Sequence, residues 1–365
     1  MIAKIIIYAI LNFFIISNSV IGLEEDLITD IRRRCMTSWT GSFPKMSNLQ
    51  VALNNSAGFY YAVLNGHSLG KITDNDTIKY VTGERYASSG MVNGALENVR
   101  FGSISSYYQI NSTFILVVDA GNHCLRSVDL DAGLVQTYSG FCSEDGDYTG
   151  QDPEDEGTRI RYIFPYHIMP DPSNSTAPYL TDKNAVRQIN INSKYVSIHF
   201  QLSDFSAVVG NTRLLWMAFT RRRIFITSSS SDLIVLNTDW SVNQIIQPEE
   251  LGTSVKRVEH VFAYSPDIIF LTFTKDLGWY ESDPHMLVYQ MQNSEANFVI
   301  DEISPVKETL AASLQSVRFI SWTDNKLIYS GEPSRTLNDC KAIIQVTLKG
   351  KISYRLSMLT YPCTR

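Results

Sequence analysis

Two stretches decide the fold. The first is Leu116-Val117-Val118-Asp119-Ala120-Gly121-Asn122-His123-Cys124-Leu125-Arg126-Ser127-Val128, and the second is Tyr179-Leu180-Thr181-Asp182-Lys183-Asn184-Ala185-Val186-Arg187-Gln188-Ile189. In each, a short apolar run ends in Asp, turns through a polar segment containing Asn, and resumes with an aliphatic residue and Arg. A pattern that returns at a fixed interval is the mark of a repeat architecture. The first copy opens at Gly83, passes Asn93-Gly94 and Phe101, and closes in Thr137-Tyr138-Ser139-Gly140. The second runs from Gly140 through Glu156-Gly157 and Phe164-Pro165. Gly83 to Gly140 is 57 positions, and Phe101 to Phe164 and Asp119 to Asp182 are both 63, which matches Phe101 with Phe164. The second copy is two residues shorter between its Asp and its Arg.

The rest of the chain keeps the rhythm without the motif. Apolar runs of four to seven residues recur between Gly, Asn, Asp and Ser, among them Phe59–Leu64, Leu214–Phe219, Arg223–Thr227, Leu233–Leu236, Ile268–Phe273, Met286–Met291 and Ala342–Leu348. That length and punctuation predict strands in an all-β fold. Only Leu251–Val261 and Glu308–Ser316 offer a turn of helix. Gly58–Gly83, the two repeats, Ala207–Ile246, Val258–Ile300 and Val317–Leu359 make six units, and seven is the next count. With 44% hydrophobic and 19% charged residues in 365, the chain can bury a large core.

The two copies resemble the NHL-repeat family, in which an acidic-Gly loop leads through Phe to a strand ending in Asp, then Gly-Asn, an aliphatic residue and Arg. The resemblance covers about residues 80–195 and is most specific over Leu116–Val128. It implies a β-propeller of four-stranded blades, six of them here, in one domain over residues 23–365. The repeated residues read as architecture. Asp119, Asn122 and Arg126, and Asp182, Asn184 and Arg187, can bond backbone in a tight turn and pair within or between blades, with Gly121 supplying a positive φ.

Residues 1–22 read as a secretory signal, with Lys4 before an apolar run from Ile5 to Ile16 and Val20-Ile21-Gly22 at the cleavage positions. Secretion agrees with four N-glycosylation acceptor patterns, at Asn54, Asn75, Asn111 and Asn174, all in polar connections between apolar runs. It agrees too with five cysteines. A hairpin turning at Asp131-Ala132-Gly133 brings Cys124 opposite about residue 140, within reach of Cys142. Cys340 and Cys363 flank another hairpin and form the second expected pair. Cys35 is either free or competes with Cys340 for Cys363.

Candidate chemistry is sparse. Gly66-His67-Ser68-Leu69-Gly70 matches the nucleophile elbow of serine hydrolases, but the residues after Ser68 favour a strand and a turn over the required helix. Asp145, Asp147, Thr149 and Glu156 nearly fit a calcium-loop template, so Ca²⁺ is the ion this acidic connection would hold; no other cofactor is expected. The six histidines show no short metal-ligand spacing. Trp216, Trp240, Trp279 and Trp322 read as core, with a sugar platform the rival reading. A net charge of −6 argues against a nucleic-acid surface. The expectation is a secreted, glycosylated propeller that binds an extracellular protein or glycan, with no membrane span after signal cleavage. The rival class is a propeller hydrolase or lyase using Ca or Zn in a central channel, and the remote one a serine hydrolase using Ser68.

Overall fold

The structure is a computed structural model. It describes residues 28–35, 46–51, 60–72, 78–83, 88–142, 155–156, 160–202, 212–251, 255–265, 268–275, 285–292, 297–303, 314–323, 326–333 and 342–348. Strand β1 is Ile28–Cys35. The strands β2 (Met46–Val51), β3 (Tyr60–Leu64), β4 (Ser68–Ile72) and β5 (Ile78–Tyr80) form one antiparallel sheet. The next holds β6 (Gly94–Ala95), β7 (Ile104–Gln109), β8 (Phe114–Asp119), β9 (Cys124–Asp129) and β10 (Leu134–Ser139). A third holds β11 (Asp155–Glu156), β12 (Pro165–Met169), β13 (Tyr179–Asp182), β14 (Ala185–Ile189) and β15 (Tyr195–Gln201). The fourth is β16 (Leu214–Phe219), β17 (Arg223–Ser228), β18 (Leu233–Asn237) and β19 (Val242–Ile246). The fifth is β20 (Val255–Ser265), β21 (Ile268–Lys275), β22 (His285–Gln292) and β23 (Asn297–Ile303). The last joins β24 (Leu314–Thr323), β25 (Lys326–Pro333) and β26 (Ala342–Leu348) to β1, in the order β1-β26-β25-β24.

The described residues thus form six up-and-down sheets. Their first strands lie side by side, β24 beside β2, then β7, β12, β16 and β20. That is a β-propeller, and the strand from the N-terminal region completes the last blade. Blades 1 to 6 are numbered here in chain order of their first strands. The expected four-stranded pattern holds, except that β6 and β11 add a short fifth strand at the outer edge of blades 2 and 3.

Packing between blades explains the continuous apolar runs. A middle strand is covered on both sides. Ile115 and Val117 pack with Tyr61, Val63 and Leu69 of blade 1, while Leu116 and Val118 pack with Tyr162, Leu180 and Ile189 of blade 3. Val186 and Phe200 meet Met217 and Ile226 across the next interface, and Phe225 and Val235 meet Val261 and Leu271 across the one after. Outer strands show the alternation of a half-exposed surface instead, as in β10.

The helix reading of Leu251–Val261 is corrected. Pro248–Leu251 is a single helical turn, α1, and Val255–Ser265 is the first strand of blade 5. Val255, Val258 and Val261 recur every three residues because β20 bulges between Val255 and Arg257 and again between Val258 and His260. Each bulge adds one residue to a period of two, which imitates helical spacing. The Cys124–Cys142 disulfide is present, with Cα atoms 5.1 Å apart. The 1–22 segment, Cys340 and Cys363 lie outside the described residues. Cys35 ends β1 opposite Ala342.

Candidate functional site

The repeated polar residues build one network in each of two blades. In blade 2, Asp119 Oδ1 accepts from the backbone N–H of Gly102 (2.9 Å) and Ser103 (3.3 Å). Its Oδ2 accepts from Asn122 Nδ2 (2.8 Å) and Arg126 (3.1 Å). Arg126 also donates to the carbonyls of Val92 and Arg100 and stands 5.0 Å over the Phe101 ring. In blade 3, Asp182 Oδ1 accepts from the N–H of Ile163 (2.9 Å) and Phe164 (2.7 Å), and its Oδ2 accepts from Arg187 Nε (2.9 Å). Arg187 donates to the carbonyl of Arg161 and stands 5.6 Å over Tyr162. Both ion pairs are buried. Burial raises the Asp119 carboxyl and lowers the Arg126 guanidinium from their ordinary values, against the mutual attraction that opposes both shifts. The pair ties the end of a blade's second strand to the entry of its first, which is architecture.

Two details of the sequence reading change. The partner of Phe101 is Tyr162, 61 positions on, and not Phe164 at 63, because blade 3 carries two extra residues between its first strand and its Asp. Gly121 is not needed for positive φ, which falls on His123 at 56°. It is needed for close approach, since a Cβ there would lie 2.5 Å from Ser103 N. Asn184 makes no bond equivalent to those of Asn122 among the described residues, and its Oδ1 is buried without a partner.

Freed from the repeat, Phe164 lines a pocket. The first strand of every blade is bulged. In blades 2 to 5 the bulge falls at the same place, with two residues opposite one. Ser105-Ser106 oppose Val118, Tyr166-His167 oppose Thr181, Leu215-Trp216 oppose Thr227, and Glu259-His260 oppose Thr272. A bulge re-aims side chains and is frequent beside binding sites. Here the bulges gather Ser105, Tyr166, Trp216 and His260, with Ser103 and Phe164, around a cavity of about 340 Å³.

The bulges are held by hydroxyls. Thr181 Oγ1 accepts from His167 N (3.0 Å) and donates to the carbonyl of Leu215 (2.7 Å) in the next blade. Thr227 Oγ1 accepts from Trp216 N (3.1 Å) and donates to the carbonyl of Glu259 (3.3 Å). Thr272 Oγ1 accepts from His260 N (3.2 Å). Blade 2 has Val118 in that position, and there Ser105 and Ser106 donate to the carbonyl of Tyr166 (2.6 and 2.9 Å). The sequence carries a signal for this ladder, an aliphatic residue before Thr near the end of a second strand (Leu180-Thr181, Ile226-Thr227, Leu271-Thr272).

The indole of Trp216 sits between two imidazoles, 4.3 Å from the His167 ring and 4.6 Å from that of His260. His167 Nδ1 accepts from Met217 N at 3.2 Å, which fixes its proton on Nε2 in the neutral form. Burial, with the charge of His260 second, pushes His167 down to about 3; burial, with Arg257 second, pushes His260 down to about 4. At neutral pH both rings are uncharged. The pocket therefore offers aromatic faces, neutral imidazole and hydroxyls, chemistry suited to an uncharged ring with polar edges. Trp216 lines this pocket as well as packing on the core. Trp240 is a core ring, against Tyr179, His199 and Phe219.

The other sequence candidates are not brought here. Ser68 is buried at the start of β4 with no helix behind it, so the elbow geometry is absent. Of the calcium-loop residues, Asp145, Asp147 and Thr149 lie outside the described residues, and Glu156 enters as backbone in β11, paired with Tyr195. Among the described residues no three His, Cys, Asp or Glu side chains come together as a metal site.

No family model and no curated protein matches the chain. Solved structures do match. A member of the DUF4221 family from Bacteroides vulgatus is similar at TM-score 0.51 and 10% identity, over 89% of this chain and 98% of that one. An inactive virginiamycin B lyase from Staphylococcus aureus with quinupristin gives 0.47 and 8%, over 88% and 100%. YCF48 bound to D1 peptide gives 0.48 and 9%, over 87% and 82%. The neighbours are β-propellers of varied function. At 10% identity the likeness to the DUF4221 protein shows the fold alone.

Proposed function

We propose that the chain is a secreted, glycosylated propeller of the NHL type that binds an extracellular glycan, taking one neutral sugar ring into the pocket between blades 2 and 5. The carrying observation is the aligned set of bulges that turns Tyr166, Trp216 and His260 toward one uncharged cavity. Sugar rings present apolar C–H faces to aromatic side chains and hydroxyls to neutral donors and acceptors, and this lining supplies both. The NHL reading is supported by the Asp–Arg network in two consecutive blades. Secretion is supported by a disulfide of the kind that oxidising compartments maintain. Among the described residues no helix is long and apolar enough to cross a membrane.

The test is a glycan array probed with the purified protein and with Trp216→Ala and Tyr166→Ser variants. The expected result is retention of glycans with an exposed neutral sugar, weakened at least about tenfold by either substitution, as losing about 1.4 kcal/mol of stacking would do. Binding that survives both substitutions contradicts the proposal, and so does an array on which nothing is retained.

A further inference from the structure

The two acceptor asparagines among the described residues, Asn111 and Asn174, lie in different blades, yet the topology places both at one end of the blades. In blade 1, Val51 pairs with Tyr60, Tyr60 with Ile72 and Ile72 with Ile78, so one row of residues crosses the sheet. Asn54 and Asn75 lie outside the described residues, in the stretches 52–59 and 73–77, whose flanking strand ends are the residues of this row. Asn111 lies in the turn from β7 to β8 and Asn174 in the turn from β12 to β13, the equivalent connection in blades 2 and 3. The end of β7 reaches the blade 3 turn, with Tyr108 Oη donating to the carbonyl of Ser175 at 2.9 Å.

The pocket is at the other end. Gly66, in the β3–β4 turn, accepts from the N–H of Ile104, where β7 begins; Gly121, in the β8–β9 turn, donates to the carbonyl of Ser103. Lys183, in the β13–β14 turn, donates to Phe164 and accepts from Leu214, where β16 begins. These turns and strand entries surround Ser103, Phe164 and Trp216, whereas β7 and β12 run away from them toward Asn111 and Asn174.

Asn111 and Asn174 are also presented for modification. Both are exposed. Asn111 Oδ1 accepts from the N–H of Thr113 (2.9 Å) and Phe114 (2.8 Å), and Asn174 Oδ1 accepts from the N–H (3.1 Å) and hydroxyl (2.7 Å) of Thr176. The oxygen is held in the turn, in a residue that is itself exposed.

From this geometry we infer that N-glycosylation of this chain is one-sided: its glycans stand on the face opposite the pocket and leave the pocket face bare. The inference rests on the secretory reading above. In the transfer, Asn Nδ2 bonds to the anomeric carbon of a lipid-pyrophosphate-linked oligosaccharide. The carbon–oxygen bond to pyrophosphate breaks with its electron pair, and Nδ2 gives up one proton to a base. The bare face is the one a ligand must approach.

The experiment is site mapping by peptide-N-glycosidase in heavy-oxygen water on the full secreted chain, followed by hydroxyl-radical footprinting before and after glycan removal. The expected result is occupancy at Asn111 and Asn174, with labelling of Phe114 and Tyr195 rising at least twofold on removal while Phe164 and Trp216 stay unchanged. A positive control is His67→Thr, which completes an acceptor pattern with Asn65 and Gly66 on the pocket face. Its glycan should lower labelling of pocket-face residues. Occupied sites whose removal exposes Phe164 and Trp216 overturn the one-sided arrangement alone. An absence of glycan at all four native sites overturns the secretory reading and the inference together.

Discussion

Blades 2 and 3 are two copies of one pattern, and what they share and do not share falls into two groups. The Asp, the Arg, the aromatic ring beneath the Arg and the two backbone amides held by the Asp are common to both. The positions along the first strand differ. Ser103, Ser105 and Ser106 in blade 2 become Phe164, Tyr166 and His167 in blade 3, 61 positions later. The shared residues are buried, and each Asp–Arg pair closes within its own blade. Phe164, Tyr166 and their serine counterparts Ser103 and Ser105 line the pocket. Comparison of repeats within one chain thus separates residues that make a blade from residues that make a site.

The sharpest way to break this division is through the shared group. Arg126→Met should cost about 3–5 kcal/mol in denaturant unfolding, because Asp119 would be left charged and buried. Arg187→Met should cost about the same for Asp182. A large difference between the two would mean the networks are not equivalent. The next effect belongs to one blade only. Cys124→Ser with Cys142→Ser opens an 18-residue link and should cost about 3 kcal/mol, with hydrogen exchange quickening in β9 and β10 before β13 and β14.

Acid should then separate the blades. His167 and His260 titrate near 3 and 4 when folded and near 6.5 when unfolded, so burial favours the neutral rings. Their contribution is complete above pH 6.5 and is lost as pH falls toward the folded values, because the unfolded chain takes up the protons first. By pH 4.5 each imidazole should remove roughly 2 to 3 kcal/mol of stability. His167→Gln should flatten that dependence. Ser106, at the same place in blade 2, adds none. A stability that is constant from pH 7 to 4.5 would show that the rings are not desolvated.

The repeat was legible because its residues obey local rules. An Asp at a strand end, an Asn in the turn and an Arg on the next strand recur within a dozen residues, and the Cys124–Cys142 link follows from the turn at Asp131-Ala132-Gly133. The six units were legible as rhythm, and the strands at Leu214–Phe219 and Ala342–Leu348 match their apolar runs to the residue. The pocket was hidden for a physical reason. Its residues come from four blades, and the bulges that aim them break the period of two by which strands are read. Val255–Val261 shows the same cause producing a false helix. The match of Phe101 with Phe164 failed because spacing alone cannot say on which side of Asp182 the extra two residues fall.

The most direct measurement gives blade 3 the residues of blade 2. A Phe164→Ser, Tyr166→Ser double variant is compared with the parent for unfolding midpoint and for binding to the glycan selected on the array. If the divergent positions make the site, folding should hold to within about 2 kcal/mol, the scale of ordinary substitutions away from a buried network, while binding falls at least about tenfold. A variant that unfolds as Arg187→Met does, or that binds as the parent does, would contradict the division between blade and site.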